Sequence, residues 1–182
     1  RELGEGKPLM ILHGLFGYSD NWQTHAKKLA DYYRVILVDL RNHGRSSWSE
    51  EFSYQLMADD IFELCEELSL DEFILMGHSM GGKVAMQFAQ QHENLLEKLV
   101  VVDIGIKEYP MHHEHILAGI HAVQLKDVDS RKDAEEQLSK LNNYHRSVVD
   151  CWYLDGFSPQ LNEDLWSDSI FQKIAKKNIA IG

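Results

Sequence analysis

The chain has 182 residues, 44% hydrophobic and 26% charged, which suits one soluble domain with a substantial core. Its formal net charge is −11, from 18 Lys and Arg against 29 Asp and Glu, and no basic run is present, so nucleic acid and anionic membrane surfaces are excluded as expected partners. No apolar run reaches the length of a membrane span, and no signal peptide is expected. Cys65 and Cys151, without framework spacing, read as buried thiols of a reducing, cytoplasmic compartment.

In chain order, Pro8–Leu12 is an apolar run that ends at His13-Gly14, the pattern of a buried strand feeding a loop. Asp20 is placed to cap a helix through about Leu29, with Trp22, Ala26 and Leu29 on one face. Val35–Val38 is the next strand, followed by a polar loop from Asp39 to Ser47. Ser53 is placed to cap a longer helix, and Phe73–Met76 forms a strand that runs into Gly77-His78-Ser79-Met80-Gly81-Gly82. A helix to about Gln91 and an apolar strand Leu99–Val102, ending at Asp103, complete this part. Strands apolar on both faces, alternating with helices, predict a mostly parallel α/β sheet covered on both sides. The chemically suggestive loops all follow strands, and ligands of such sheets bind at the strand ends.

Beyond Tyr109 the texture changes to polar helical segments over 110–123 and 130–141, which predict a helical lid. The lid carries His112, His113, His115 and His121, yet no His-Glu-x-x-His spacing occurs, so no metal or other cofactor is expected. The division expected is one domain over 1–182, with a core 1–108, a lid 109–147 and an atypical strand–helix segment 148–182.

The Gly-x-Ser-x-Gly pentapeptide at 77–81 lies between a strand and a helix, the setting of a nucleophile elbow. Gly77 and Gly81 have a steric reason to be glycine there, because strand and helix pass closely. Ser79 is then held in a strained conformation at a helix N-terminus, where free N–H groups and a partial positive charge meet a developing oxyanion.

Residues 8–125 resemble the α/β-hydrolase superfamily, and within it the small bacterial esterase branch related to abhydrolase-domain esterases. The matching segments are His13–Gly17, Asp39–Ser46, Gly77–Lys83 and Val102–Ile104, in the right order. The resemblance implies a truncated α/β-hydrolase fold and a serine esterase or thioesterase acting on small ester or thioester substrates through an acyl-enzyme. It assigns Ser79 as nucleophile, Asp103 as catalytic acid, and the backbone N–H groups of Leu15 and Met80 as the oxyanion hole. His13 and His43 are, by the same resemblance, loop-fixing residues, and Asp39 and Arg41 brace their own loop.

The chemistry also needs a histidine to take the serine proton. The family supplies it late, in a loop after the last strands, and no such loop is present here. Candidate substitutes are His145 and the lid residues His112, His113, His115 and His121, or a histidine from a second copy. His78 flanks the nucleophile, but elbow geometry is expected to point it away. The alternative reading is a catalytically impaired or inactive hydrolase-like domain: a truncated or fused remnant, or a binding module. Residues 148–182, with Leu154-Asp155-Gly156-Phe157, resemble instead a fragment of the methyltransferase that completes 5-methylaminomethyl-2-thiouridine in tRNA, which suggests a join near 141–147. An undocked 148–154 strand would leave a sheet edge open to homodimerisation.

Overall fold

A strand buried from both sides has no polar face, and the expected runs have none. The computed structural model describes residues 1–106, 122–130, 132–133, 136–137 and 180–181. Its strands are β1 (Glu2–Leu3), β2 (Pro8–Leu12), β3 (Arg34–Val38), β4 (Phe73–His78), β5 (Leu96–Val102) and β6 (Ala180–Ile181), and its helices α1 (Gln23–Leu29), α2 (Tyr54–Glu67) and α3 (Met80–Gln91). They build one sheet in the order β1-β3-β2-β4-β5-β6, parallel except for β1, which pairs antiparallel with β3.

Side chains alternate across a strand, and both faces of β2 are used. Met10 and Leu12 join the core under α2 and α3, with Met57, Ile61, Val84 and Phe88. Leu9 and Ile11 face the other way, into a smaller core with Ala26 of α1, Val35 and Leu37. The sheet is thus covered on both faces, as the apolar strands demand. Cys65 is buried in the larger core, and burial pushes its thiol up to about 12, so it is inert.

Ser53 caps α2 as expected, its hydroxyl accepting from the Leu56 N–H at 3.2 Å. Three details differ from the sequence reading. A 3-10 turn over Ser19–Trp22 precedes α1, which starts at Gln23, and the side chain that closes the turn is Asn21, accepting from the Tyr18 N–H at 2.8 Å. Asp20 pairs instead with Arg1. Strand β5 begins at Leu96, three residues early: Leu96 pairs with Phe73 and Lys98 with Ile74, and the register shift between them leaves Glu97 out of the ladder, where it pairs with Lys7. The added strand β1 is too short and polar to show periodicity; Arg34 holds Glu2 in place at 2.7 Å.

The chain falls into two compact units, Arg1–Ile106 with Ser158–Gly182, and Lys107–Phe157; the sheet lies in the first. In the second, residues 132–133 and 136–137 of the expected 130–141 helix are helical, and Ser130 accepts from the Asp133 N–H at 3.3 Å. The expected strand 148–154 lies outside the described residues. Among the described residues no helix is long and apolar enough to cross a membrane.

Candidate active site

The order β3-β2-β4-β5 means that the chain runs outward from β2 to β3, then crosses back to β4 on the other side. The reversal falls between β2 and β4, the crevice where parallel sheets hold ligands. The loop after β2 and the turn after β4 therefore meet there. Register fixes the meeting, with Leu12 opposite Gly77.

Ser79 occupies that turn as the residue before α3, with φ 50° and ψ −115°. A non-glycine residue in this region is strained and persists only where its surroundings impose it. Two glycines impose it. A Cβ on Gly77 would strike the Gly81 backbone, and one on Gly81 would lie 2.6 Å from the carbonyl oxygens of both Leu12 and His13. The Ser79 carbonyl accepts from Gly82 at 2.9 Å and Lys83 at 3.2 Å, and its own N–H donates to Val102 at 2.9 Å. The elbow is therefore tied to α3 on one side and to the end of β5 on the other.

Asp103 follows Val102 directly, so the sheet brings Ser79 and Asp103 to adjacent strand ends. Asp103 also has a positive φ, 56°, and its side chain is exposed. The notable neighbour is His78, whose Nε2 lies 3.8 Å from Asp103 Oδ2. Burial pushes the His78 imidazole below its ordinary value, and the Asp103 charge opposes that push. Nothing in the spacing of the sequence foretold this contact.

The loop after β2 is shaped around the same point. A Cβ on Gly14 would sit 3.0 Å from His78 Nδ1 and 3.3 Å from the Ser79 Cβ, so the backbone just before Leu15 lies against Ser79. A turn with Gly17 N–H donating to Gly14 at 2.9 Å then folds Leu15 and Phe16 back, Phe16 at φ 61°. Met80 opens α3, where the first N–H groups have no partner within the helix. The two expected oxyanion donors thus belong to the two segments that meet at the crevice.

His13 is buried, and both its ring nitrogens are used. The Leu40 N–H donates to Nε2 at 3.0 Å, so the proton sits on Nδ1, which donates to the Gly14 carbonyl at 2.8 Å. Burial lowers its pKa, which keeps the ring neutral. His43 donates from Nδ1 to its neighbour Arg41 at 2.9 Å, with its ring 5.0 Å from that of His13. Asp39 accepts from the N–H groups of Ser19 at 2.6 Å and Arg45 at 3.0 Å; burial raises its pKa, but these bonds outweigh it and leave it lowered. Arg41 reaches farther than expected. Its guanidinium forks onto both oxygens of Asp60 in α2, each at 2.6 Å, and so ties the loop to a helix as well as to itself.

An open groove of about 400 Å³ lies beside the Leu15 loop, with Leu15, Phe16, Tyr18 and Phe52 among its walls and Asn42 and His43 as polar lining. The candidate bases His112, His113, His115, His121 and His145 lie outside the described residues.

Comparison with known proteins decides the family. A match to the family described as alpha/beta hydrolase fold covers residues 7–177. The chain belongs to the α/β-hydrolase family. This α/β-hydrolase is 40% identical over 147 residues to the sn-1-specific diacylglycerol lipase ABHD11 of Danio rerio, a match covering 76% of this chain and 46% of that protein. Against esterase YbfF of Escherichia coli it is 36% identical over 128 residues, covering 70% of this chain and 50% of the relative. The chain spans about half the length of the curated relatives it matches. Among solved structures, one titled marine microorganism esterase superposes with a TM-score of 0.77 at 35% identity, covering 100% of this chain and 73% of that one. The family match continues to residue 177 and so takes in most of the segment that resembles a methyltransferase fragment.

Proposed function

We propose that this α/β-hydrolase is a serine esterase or thioesterase that cleaves small carboxylic esters through an acyl-enzyme on Ser79. The observation that carries the reading is the backbone of Ser79, at φ 50° between β4 and α3, because strain of this kind is kept where it presents a reactive group. In the proposed reaction Ser79 Oγ attacks the ester carbonyl while a histidine takes its proton. The tetrahedral oxyanion is received by the backbone N–H groups of Leu15 and Met80, and collapse expels the alkoxide or thiolate, to which the histidine delivers the proton it took from Ser79. Water then repeats the cycle on the acyl-enzyme. Asp103 orients the base. The open groove of Phe16, Tyr18 and Phe52 suits an apolar acyl or alcohol portion.

The base is assigned among His145, His112, His113, His115, His121 and a histidine of a second copy of the chain. His13 is unsuited, since both its nitrogens are bonded to backbone. That commitment favours one second reading, a hydrolase-like domain of impaired activity or a binding module. Fluorophosphonate labelling and p-nitrophenyl ester hydrolysis decide between them. Wild type is expected to label and turn over, and Ser79→Ala to do neither; equal, slow behaviour of both proteins would leave the impaired-domain reading. Single substitution of the histidines then identifies the base as the one whose loss is as severe as that of Ser79→Ala.

Cytoplasmic residence is supported by the buried free thiol of Cys65. Self-association through a sheet edge is measured by sedimentation. The likeness of residues 148–182 to a tRNA methyltransferase gains no support from a family match that runs to residue 177, and these residues are read as part of the hydrolase.

A further inference from the structure

We propose that His78 is a positioning residue: it anchors one carboxylate oxygen of Asp103 and so holds the loop after β5 in fixed relation to the nucleophile elbow. Three contacts carry this. The His78 ring lies against the Gly14 backbone, with Nδ1 only 3.0 Å from where a Cβ would stand. The ring makes a T-shaped contact with Trp22, with ring centroids 6.2 Å apart and planes at 66°. Its Nε2 faces Asp103 Oδ2 at 3.8 Å. One side chain thereby touches the loop after β2, the turn before α1 and the loop after β5.

Asp103 needs such an anchor. Its backbone is held at φ 56°, and its carboxylate is 67% exposed, so by itself it would sample several rotamers. An acid that orients a base must present one oxygen in a fixed direction. The geometry assigns Oδ2 to His78 and leaves Oδ1 to the base. The distance of 3.8 Å is that of an ion pair and longer than a hydrogen bond. Contacts in unliganded sites commonly tighten only when substrate is bound. Trp22 and Gly14 restrict the ring, so the imidazole has already lost the freedom that makes most exposed ion pairs weak. Among the described residues, the titratable groups that face His78 are Asp103 and, from the end of β2, His13.

The kinetic part of this inference rests on Ser79 and Asp103 being nucleophile and acid; the titration part does not. The His78 imidazole is followed by NMR between pH 5 and 8 in the full chain and in Asp103→Asn. Loss of the anion removes a group that favours imidazolium, so the His78 titration is expected to move to lower pH in the variant. An unchanged titration overturns the pairing. With p-nitrophenyl butyrate, His78→Leu is expected to lose about three- to tenfold in kcat with KM little changed, and His78→Gln, which restores a donor near Nε2, to recover most of it. Equal losses in the two variants would show that the ring acts by packing alone, which also overturns the proposal. Absence of turnover in the wild type would sink the esterase reading, and the titration would then decide this inference by itself.

Discussion

His13 shows how much a single residue can fix. It is buried at the end of β2, and its two ring nitrogens join the Gly14 carbonyl and the Leu40 N–H, so it links two loops that border the site. Those bonds require the neutral ring, and burial lowers its pKa below the ordinary 6.5. The sign follows directly. Below pH 6.5 the unfolded chain takes up a proton that the folded chain refuses, so the contribution of His13 is complete above that value and is lost as pH falls toward the folded pKa. The slope from this one group is at most about 1.4 kcal/mol per pH unit. Thermal unfolding followed from pH 7.5 to 5.5 is expected to show a falling midpoint, and His13→Asn to show a lower but flatter profile. Asp39 behaves similarly at a lower pH: its pKa is held below 3.8, so its contribution is lost only in stronger acid. This role was legible in the sequence only through the resemblance of the His-Gly segment to a known pattern. The contact of His78 with Asp103 was not legible at all, because the residues are far apart in the chain and meet only through the β4–β5 ladder.

At the scale of the element, the strands and helices with strong apolar patterns appeared where periodicity placed them, because burial on both faces leaves a strand no other solution. The elements misjudged were those whose shape depends on polar side chains. The helix start moved from Asp20 to Gln23 because Asn21 closes a turn first, and Leu96–Lys98 joined β5 although its charged residues break the apolar run. The loop after β3 is the clearest example of such polar control. Arg41 holds Asp60 through two hydrogen bonds of 2.6 Å and the Glu51 carbonyl through a third of 3.1 Å, and so anchors one wall of the groove to α2. A lysine cannot reproduce that fork. Arg41→Lys is expected to cost about 1 kcal/mol in urea unfolding, since the pair is partly exposed, and to make the 41–53 segment the first site of limited proteolysis. An unchanged cleavage pattern would show that the fork is incidental to the loop.

For the whole molecule, the larger core decides whether anything else can stand. Phe73 and Phe88 are fully buried and meet edge-to-face at 5.8 Å, joining the strand that leads into the elbow to the helix that leaves it. Phe73→Ala is expected to destabilise the fold by about 3–5 kcal/mol, read as a shifted urea midpoint, a large part of the stability of a domain this size. The close approach of Gly14 to Ser79 carries a different consequence. The two expected oxyanion donors belong to segments that follow different strands, Leu15 after β2 and Met80 at the start of α3 after β4, so their spacing depends on the parallel alignment of Leu12 with Gly77. A slip of one residue would displace one donor by about 3.3 Å, farther than a hydrogen bond can stretch. The site therefore works as a gauge of strand alignment. A misregistered sheet could keep its apolar core and still be chemically silent, and labelling of Ser79 would count the molecules whose sheet has been assembled in the correct register.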